Sequence, residues 1–367
     1  MFINFWYAAG WAKDVGEEPV KVRMLSHDFV LFRDTDGVVH CLSNTCVHRG
    51  GSLAQGKVLN NCIQCPYHGW QFDTGGVCRK VPSLGAGAKP PPRAQVDAYP
   101  TQERYGLIFA FLGDLPEAER PPIMPIDEWG QDGWRSTELD YEWRANYERS
   151  IENGLDPAHN EFVHPSHGFS GANEDYKVPD FEPQEHDWGF SFMMKFHSSA
   201  GKTKESMKKE RGEGTTEAGT GHMGPSQMWT HIHFTPTNWM HQYIYETPVS
   251  ETHTKIYLIN LRNGMLDPEM DDRVSKGNLM IAEQDRVVIE ALEPKITPTS
   301  LARETLVPAD KVIVRYRERL MEWQQRGWRI DVDALNAKGD DIVYAIPSPA
   351  RHEHRRWALH PVPLLAS

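Results

Sequence analysis

Cys46, His48, Cys65 and His68 are the residues whose types and spacing point most directly to chemistry. Cys46-Val47-His48 is followed, after sixteen residues, by Cys65-Pro66-Tyr67-His68-Gly69-Trp70. Two thiolates and two imidazoles on a pair of short loops match a [2Fe–2S] site, with Cys46 and Cys65 on one iron and His48 and His68 on the other. Exchanging two thiolates for neutral imidazoles makes such a cluster less negative and raises its potential, which suits a centre that accepts one electron and passes it on. Two other readings compete. Zinc also takes two cysteines and two histidines, but its sites usually group like with like, whereas each loop here carries one of each. Cys62 and Cys65 have the spacing of a redox dithiol, a reading that leaves Cys46, His48 and His68 unexplained. Cys41, Cys62 and Cys78 read as buried structural thiols.

A second constellation lies in Asn153-Gly154-Leu155-Asp156-Pro157-Ala158-His159-Asn160-Glu161-Phe162-Val163-His164. On a helix, Asp156 and His159 share a face, while His159 and His164 are about 140° apart around the axis. Both histidines reach one metal only if the helix ends near His164, and Pro165 supplies that ending. Two histidines need a carboxylate to complete a facial triad for non-haem Fe(II). The expected third ligand is Asp285, on a helix that gives Asp285, Val288, Ile289 and Leu292 a common face; Glu283 and Glu290 are its rivals. Structural histidines, hydrogen-bonded in a core, are the competing reading for His159 and His164. An upstream electron-entry centre favours the metal.

The elements that must position these residues can be read in outline. Met24–Arg33 and Gly37–Leu42 are β-rich runs joined by a turn at Asp34-Thr35-Asp36-Gly37. A second turn lies at Asp73-Thr74-Gly75-Gly76, and Tyr105–Leu112 is a buried strand. Prolines 116, 121, 122 and 125 mark a boundary, giving an expected first domain of residues 1–118 and a second of residues 119–367. Tyr147–His164 has helical periodicity interrupted by Gly154 and Pro157. Gln227–Phe234, Met240–Thr247 and Thr254–Arg262 read as strands of a curved antiparallel sheet, and Asp271–Leu292 and Pro308–Arg326 as helices. On the last, Val312, Tyr316, Leu320 and Trp323 form an apolar stripe for packing. Gly201–Gly224 is polar and Gly-rich, and is expected to be a loop, either a lid or plain surface. The fold class is α+β.

Composition bounds the rest. The chain has 367 residues and a net charge of −12, a balance that repels phosphate backbones and argues against nucleic acid as a partner. No apolar run is long enough for a membrane span. No basic residue precedes the apolar N-terminus, so a secretory signal is not expected and the cytoplasm is.

Together the two motifs resemble the terminal oxygenase component of Rieske non-haem iron oxygenases, in the branch containing vanillate and dicamba O-demethylases and carbazole dioxygenase. The likeness extends to Asn4-Phe5-Trp6-Tyr7-Ala8-Ala9 and Glu103-Arg104-Tyr105-Gly106-Leu107-Ile108. Respiratory Rieske proteins carry two further loop cysteines where this chain has Gly51 and Tyr67, so their bridging disulfide cannot form here. The resemblance implies an N-terminal Rieske β-domain with a [2Fe–2S] cluster and a helix-grip catalytic domain with one mononuclear Fe(II). It implies a homotrimer in which Asp156 links His159 to His68 of the partner subunit, and an Asn153 near the iron. Electrons are expected from a separate NAD(P)H reductase, with or without a ferredoxin. The implied reaction uses O2 to hydroxylate, or to O- or N-dealkylate, a small, acidic aromatic substrate. Monooxygenation and cis-dihydroxylation use the same irons, so these residues leave them unseparated. A steroid-type substrate within the same class, and a non-catalytic electron carrier fused to a ligand-binding domain, are the alternatives. Phe162, Trp229, His231, His233, Trp239 and His241 are the expected pocket residues, with Met228, Met240 and Tyr243 on the same strands. Alternation turns only about half of such strand residues inward. Arg351, His352, His354, Arg355 and Arg356 form a basic cluster that would suit an acidic ferredoxin or remain a solvated run of charge.

Overall fold

The computed structural model describes residues 1–165, 171–197, 215–353 and 357–365. The chain divides into two compact units, Met1–Pro122 with Thr247–Ser250 and Trp323–Ser367, and Ile123–Glu246 with Glu251–Glu322. The first break falls a few residues beyond the expected boundary at 118. The C-terminal stretch, expected in the second domain, groups instead with the first. The reason is packing: Phe5 meets Trp323 edge-on at 4.9 Å, Tyr99 Oη donates to the Ile346 carbonyl, and the fully buried Asp97 takes both Arg351 Nε and Nη2 at 2.7 Å. Arg351 is therefore committed to an internal ion pair, and His352 lies 3.5 Å from Asp114. The remainder of that basic cluster, residues 354–356, lies outside the described residues.

The first unit is built mainly from three small antiparallel sheets, beside a short parallel pairing of Tyr344–Ala345 with His360–Pro361. One joins β1 (Phe5–Trp11), β11 (Leu107–Leu112) and β10 (Thr101–Arg104); a second runs β2 (Val20–Met24), β3 (His27–Arg33), β4 (Val39–Ser43) and β9 (Ala98–Tyr99). The third is β5 (Lys57–Leu59), β6 (Cys62–Gln64), β7 (Gln71–Phe72) and β8 (Cys78–Lys80). Both expected turns close, with Gly37 N on Asp34 O at 3.0 Å and Gly76 N on Asp73 O at 2.9 Å. The two Cys/His loops leave β4 and β6. Beneath them a core of Val30, Phe32, Leu42, Leu53, Ile63 and Phe72 also includes Cys46 and Cys65.

The second unit centres on a seven-stranded antiparallel sheet. Its strands are β12 (Arg135–Trp143), β13 (Gln184–His186), β14 (Gly189–His197), β15 (Thr215–Met223), β16 (Gln227–His233), β17 (Trp239–Ser250) and β18 (His253–Arg262). Their order is β12-β18-β17-β16-β15-β14-β13. The three expected strands are thus the middle of a larger sheet. Part of the expected Gly201–Gly224 loop is strand β15, while residues 201–214 lie outside the described residues. Glycine itself makes that strand possible. A Cβ at Gly221 would meet the Trp229 ring at 2.8 Å, and one at Gly219 would meet Met193 Sδ at 2.3 Å.

Helix α1 (Tyr147–Leu155) is capped by Asn146, whose side chain accepts from the Glu148 and Arg149 amides. It stops at Asp156, which takes an extended backbone (ψ 119°). Pro157 is the cause, because the residue before proline avoids the helical region. A single turn, α2 (Asn160–Val163), follows and ends at His164. Asp156 and His159 therefore do not share the expected helix face, while the expected interruption at Pro157 is where α1 ends and Gly154 stays within the helix. Helices α3 (Asp271–Ile289) and α4 (Lys311–Gln325) complete the set used below. On α4, Val312, Tyr316, Leu320 and Trp323 are all buried, so the apolar stripe packs as expected. No described helix is long and apolar enough to cross a membrane.

Candidate metal centres

The two loops of the first unit repeat one backbone device. In each, a glycine four residues after the cysteine donates its amide to the cysteine carbonyl: Gly50 to Cys46 at 2.9 Å and Gly69 to Cys65 at 3.0 Å. Both glycines have positive φ, +73° and +71°, a region other residues rarely adopt. A Cβ on the neighbouring Gly51 would come within 2.9 Å of Cys65 Sγ. Asn44 ties the first loop down, accepting from Ala54 N at 2.8 Å and donating to Ser52 Oγ. The rings of His48 and His68 lie 4.4 Å apart, and Trp70 stacks flat on His48 at 4.6 Å. Cys46 and Cys65 are buried, whereas His48 is exposed and His68 partly so. Burial pushes the Cys46 thiol up to about 12, with Cys65 beside it adding to the rise. A thiolate pair in such surroundings needs a bound cation. This donor set, with a thiol edge in the core and an imidazole edge at the surface, fits a [2Fe–2S] cluster. All five cysteines are free and buried.

In the second unit, His159, His164 and Asp285 bring their ligand atoms together. The two Nε2 atoms are 3.2 Å apart, and Asp285 Oδ1 is 3.3 Å from that of His164 and 3.7 Å from that of His159. Ligand bonds of about 2.1 Å imply edges of about 3 Å between neighbouring donors, so the triangle fits one face of a metal's coordination sphere. The other nitrogen of each ring is held: His159 Nδ1 by the Asp156 main-chain carbonyl at 2.8 Å, His164 Nδ1 by Gln284 Oε1 at 3.0 Å. Such partners fix the tautomer and aim Nε2. Asn153 Nδ2 donates to Asp285 Oδ1 at 3.0 Å. Burial lowers the His159 pKa against the pull of Asp285. Burial opposes protonation of His164 too, but there the hydrogen bond and charge of Asp285 prevail and raise it.

The expected face of α3 holds at Ile289, which is buried, and at Leu292, which packs on the same cluster, but not at Val288, which is 41 % exposed; Asn278 and Ala282 extend it toward the start of the helix. The rivals are occupied elsewhere. Glu283 pairs with Arg286 on the surface, and Glu290 accepts from Arg144 N and Arg286. The Asp156 carboxylate accepts from the Ala158 and His159 amides at 2.8 and 3.1 Å and lies 3.8 Å from His159 Nδ1. Its direct hold on His159 is thus through the backbone. Gln284 escaped the sequence reading, although its position beside Asp285 was a signal.

Strand alternation divides the expected pocket residues. Ser150 of α1 reaches Glu246, Gly154 of α1 crowds Met228, and Asn278 of α3 reaches Gln242. Helix α1, which leads into the histidine segment, and helix α3, which bears Asp285, therefore cover the even-numbered residues of β16 and β17. Trp229, His231, His233, Trp239, His241 and Tyr243 point to the opposite face, where residues 123–134 pack: Glu128 meets His241 and Tyr243, and Trp134 lies 4.9 Å from His241. Of the expected strand residues, Trp229, His231, His233, Trp239, His241 and Tyr243 thus face away from the triad and Met228 and Met240 face toward it, a division that alternation by itself leaves open. Phe162 is 62 % exposed and meets Tyr176. On the triad face stand the half-buried Thr230, Ile232, Met240, Gln242 and Ile244. On the far face, burial works against ionisation of Glu128, but hydrogen bonds from His241 and Tyr243 hold it down at about 2. Burial keeps His231 neutral, at about 3.

Comparison with known proteins places both units. Residues 5–100 match the Rieske [2Fe-2S] domain, and residues 143–326 match the vanillate O-demethylase oxygenase C-terminal domain. The chain belongs to the Rieske non-haem iron oxygenases, and within them to the group with this vanillate O-demethylase type of C-terminal domain. It is 30 % identical over 316 residues to methylxanthine N1-demethylase NdmA of Pseudomonas putida, covering 84 % of this chain and 83 % of that one. It is 27 % identical over 317 residues to an iron-sulfur subunit of the toluene-4-sulfonate monooxygenase system of Comamonas testosteroni, covering 80 % and 88 %. Among solved structures, dicamba monooxygenase bound to dicamba superposes with a TM-score of 0.71 at 25 % identity, over 88 % of this chain and 97 % of that one. The chain is an oxidoreductase whose family uses a Rieske cluster and a mononuclear iron.

Proposed function

We propose that this chain is a terminal oxygenase that hydroxylates or dealkylates a small aromatic molecule with O2, drawing electrons from a separate reductase. The carrying observation is the triangle of His159 Nε2, His164 Nε2 and Asp285 Oδ1, with edges of 3.2, 3.3 and 3.7 Å, on the sheet face that bears Ile232, Met240 and Ile244. When bound there, a mononuclear iron would supply O2 activation, which the side chains themselves cannot perform. The protein's own work is positional. Asn153 and Gln284 orient the ligands, Ile232, Met240 and Ile244 exclude water from a flat apolar ring, and Thr230 and Gln242 offer neutral hydrogen-bonding groups to its substituent. Cys46, His48, Cys65 and His68 would hold the cluster that receives the incoming electron.

The relatives named above for methylxanthine, toluene-4-sulfonate and dicamba support an aromatic or heteroaromatic substrate. The assembly we infer is a homotrimer in the cytoplasm, in which Asp156, with a quarter of its side chain exposed, would meet His68 of the partner subunit. Metal analysis tests the central reading. Purified protein should hold iron and acid-labile sulfide at about 3:2, a cluster plus one further iron. A ratio of about 1:1 after reconstitution would instead mark a carrier without the catalytic metal.

A further inference from the structure

The far face of the catalytic sheet carries a second convergence of imidazoles. His231 and His241 sit directly opposite each other on β16 and β17, and His233 is the diagonal neighbour of His241. The Nε2 atoms of His233 and His241 are 3.2 Å apart, the same separation as in the pair of His159 and His164. Behind them stand carboxylates. Glu128 Oε1 is 2.5 Å from His241 Nδ1, and Glu217 Oε2 is 3.5 Å from His233 Nδ1. Glu128 is itself fixed by Tyr243 Oη on its other oxygen at 2.7 Å.

A carboxylate oxygen only accepts, so His241 Nδ1, hydrogen-bonded to Glu128 at 2.5 Å, carries the proton and its Nε2 turns a lone pair toward His233; Glu217, 3.5 Å from His233 Nδ1, favours the same tautomer there. With both rings in that tautomer the two Nε2 lone pairs face each other at 3.2 Å and a shared cation would satisfy both, whereas the other tautomer of His233 would donate its Nε2–H to His241. A carboxylate behind each ligating imidazole is also the arrangement that raises imidazole basicity toward a metal. The separation matches neighbouring nitrogen ligands on a tetrahedral ion, whose bonds run to about 2.0–2.1 Å. Glu128, His231 and His241 bring further ligand atoms within 4.8 Å of one another. His233, 23 % exposed, leaves a route of entry, while His241 is 6 % exposed.

We propose that the far face binds a divalent transition-metal ion of the zinc class between His233 Nε2 and His241 Nε2, with water completing its coordination. This site is separate from the iron triad and does not rest on the oxygenase reading. Imidazole donors on a tetrahedral edge select zinc, cobalt or nickel over magnesium or calcium. The ion would pin β16 to β17 near the turn that joins them.

The test is zinc uptake by the iron-loaded protein, followed by elemental analysis after equilibrium dialysis. Wild type is expected to take up about one zinc per chain with its iron content unchanged. His233→Gln and His241→Gln should lose that zinc, and His233→Gln, at a partly exposed position, keeps the test sound if the buried variant fails to fold. Glu128→Gln should weaken binding about tenfold. His164→Ala should lose iron yet keep the zinc. No uptake by wild type overturns the proposal, as does uptake that displaces iron, survives His233→Gln, or vanishes in His164→Ala.

Discussion

The two metal-ligand sets of this chain are assembled in opposite ways. The cysteines and histidines of the first unit come from two loops within one stretch of 23 residues, each closed by its own glycine turn. The triad of the second unit needs Asp285, more than a hundred residues beyond His164, brought in by a long helix packed on a sheet. Local loops make a ligand set that a short motif can specify; the distant carboxylate exists only once α3 has docked. The first set should therefore fail by loss of a ligand, and the second also by loss of the packing that aims it.

The largest expected effects test that contrast directly. Cys65→Ser should abolish the cluster's visible absorption and reduce turnover by at least about a hundredfold, while the mononuclear iron stays bound; loss of both metals would show that the sets are not independent. Asp285→Ala should do the reverse, stripping the single iron and keeping the cluster spectrum. Iron retained in that variant would move the third ligand elsewhere, although Glu283 and Glu290 are already held by Arg286.

What could be read in advance follows the same division. Cys46, His48, Cys65 and His68 were legible because their spacing alone implies two loops. His159 and His164 were legible as a pair, and so was the interruption at Pro157 that ends α1 at Leu155; the helix face that Asp156 was to share with His159 was not, because Asp156 lies outside the helix. Asp285 was legible as an inward residue beside Ile289 and Leu292, while the exposure of Val288 and the share of Asn278 and Ala282 in the packed face depend on how α3 meets the sheet. The pocket was not legible. An alternating strand shows two faces of similar character here, Ile232 and Met240 on one and Trp229 and His241 on the other, and only the helices covering the first decide which faces the triad. The C-terminal stretch was missed for a related reason: nothing local links Arg351 to Asp97.

Asp156 sharpens the contrast at its midpoint, since it belongs to the local motif but would act across subunits. Its Oδ1 accepts from the Ala158 amide and its Oδ2 from the His159 amide, and asparagine keeps an acceptor for one of the two. Asp156→Asn should thus leave both metals largely in place while slowing electron transfer about a hundredfold, read as cluster reoxidation in a single turnover with O2. Full-rate reoxidation would limit Asp156 to its backbone role. Gln284→Ala should act more gently, lowering iron affinity by about ten- to a hundredfold in a chelator competition, because it only orients His164.

The smallest effect on turnover, and the most specific to the second unit, should come from Glu246. This carboxyl is fully buried between α1 and β17, with Ser150 Oγ donating to one oxygen at 2.7 Å. Burial raises its pKa to about 8, against the hydrogen bond from Ser150. A carboxyl with a raised folded-state pKa binds more protons folded than unfolded between about pH 4.5 and 8, so its contribution to stability declines as pH rises through that window. His222, buried and lowered to about 4, acts in the opposite sense and loses stability as pH falls from about 6.5 toward 4. Glu246→Gln keeps the shape and an acceptor for Ser150 while removing the titration. Its thermal midpoint should therefore exceed that of wild type by a few degrees at pH 8, with the gap closing toward pH 5. A gap that is constant with pH would show that Glu246 is ionised in the folded chain and has a cationic partner. The packing that supports the triad would then be less dry than the one buried hydrogen bond implies.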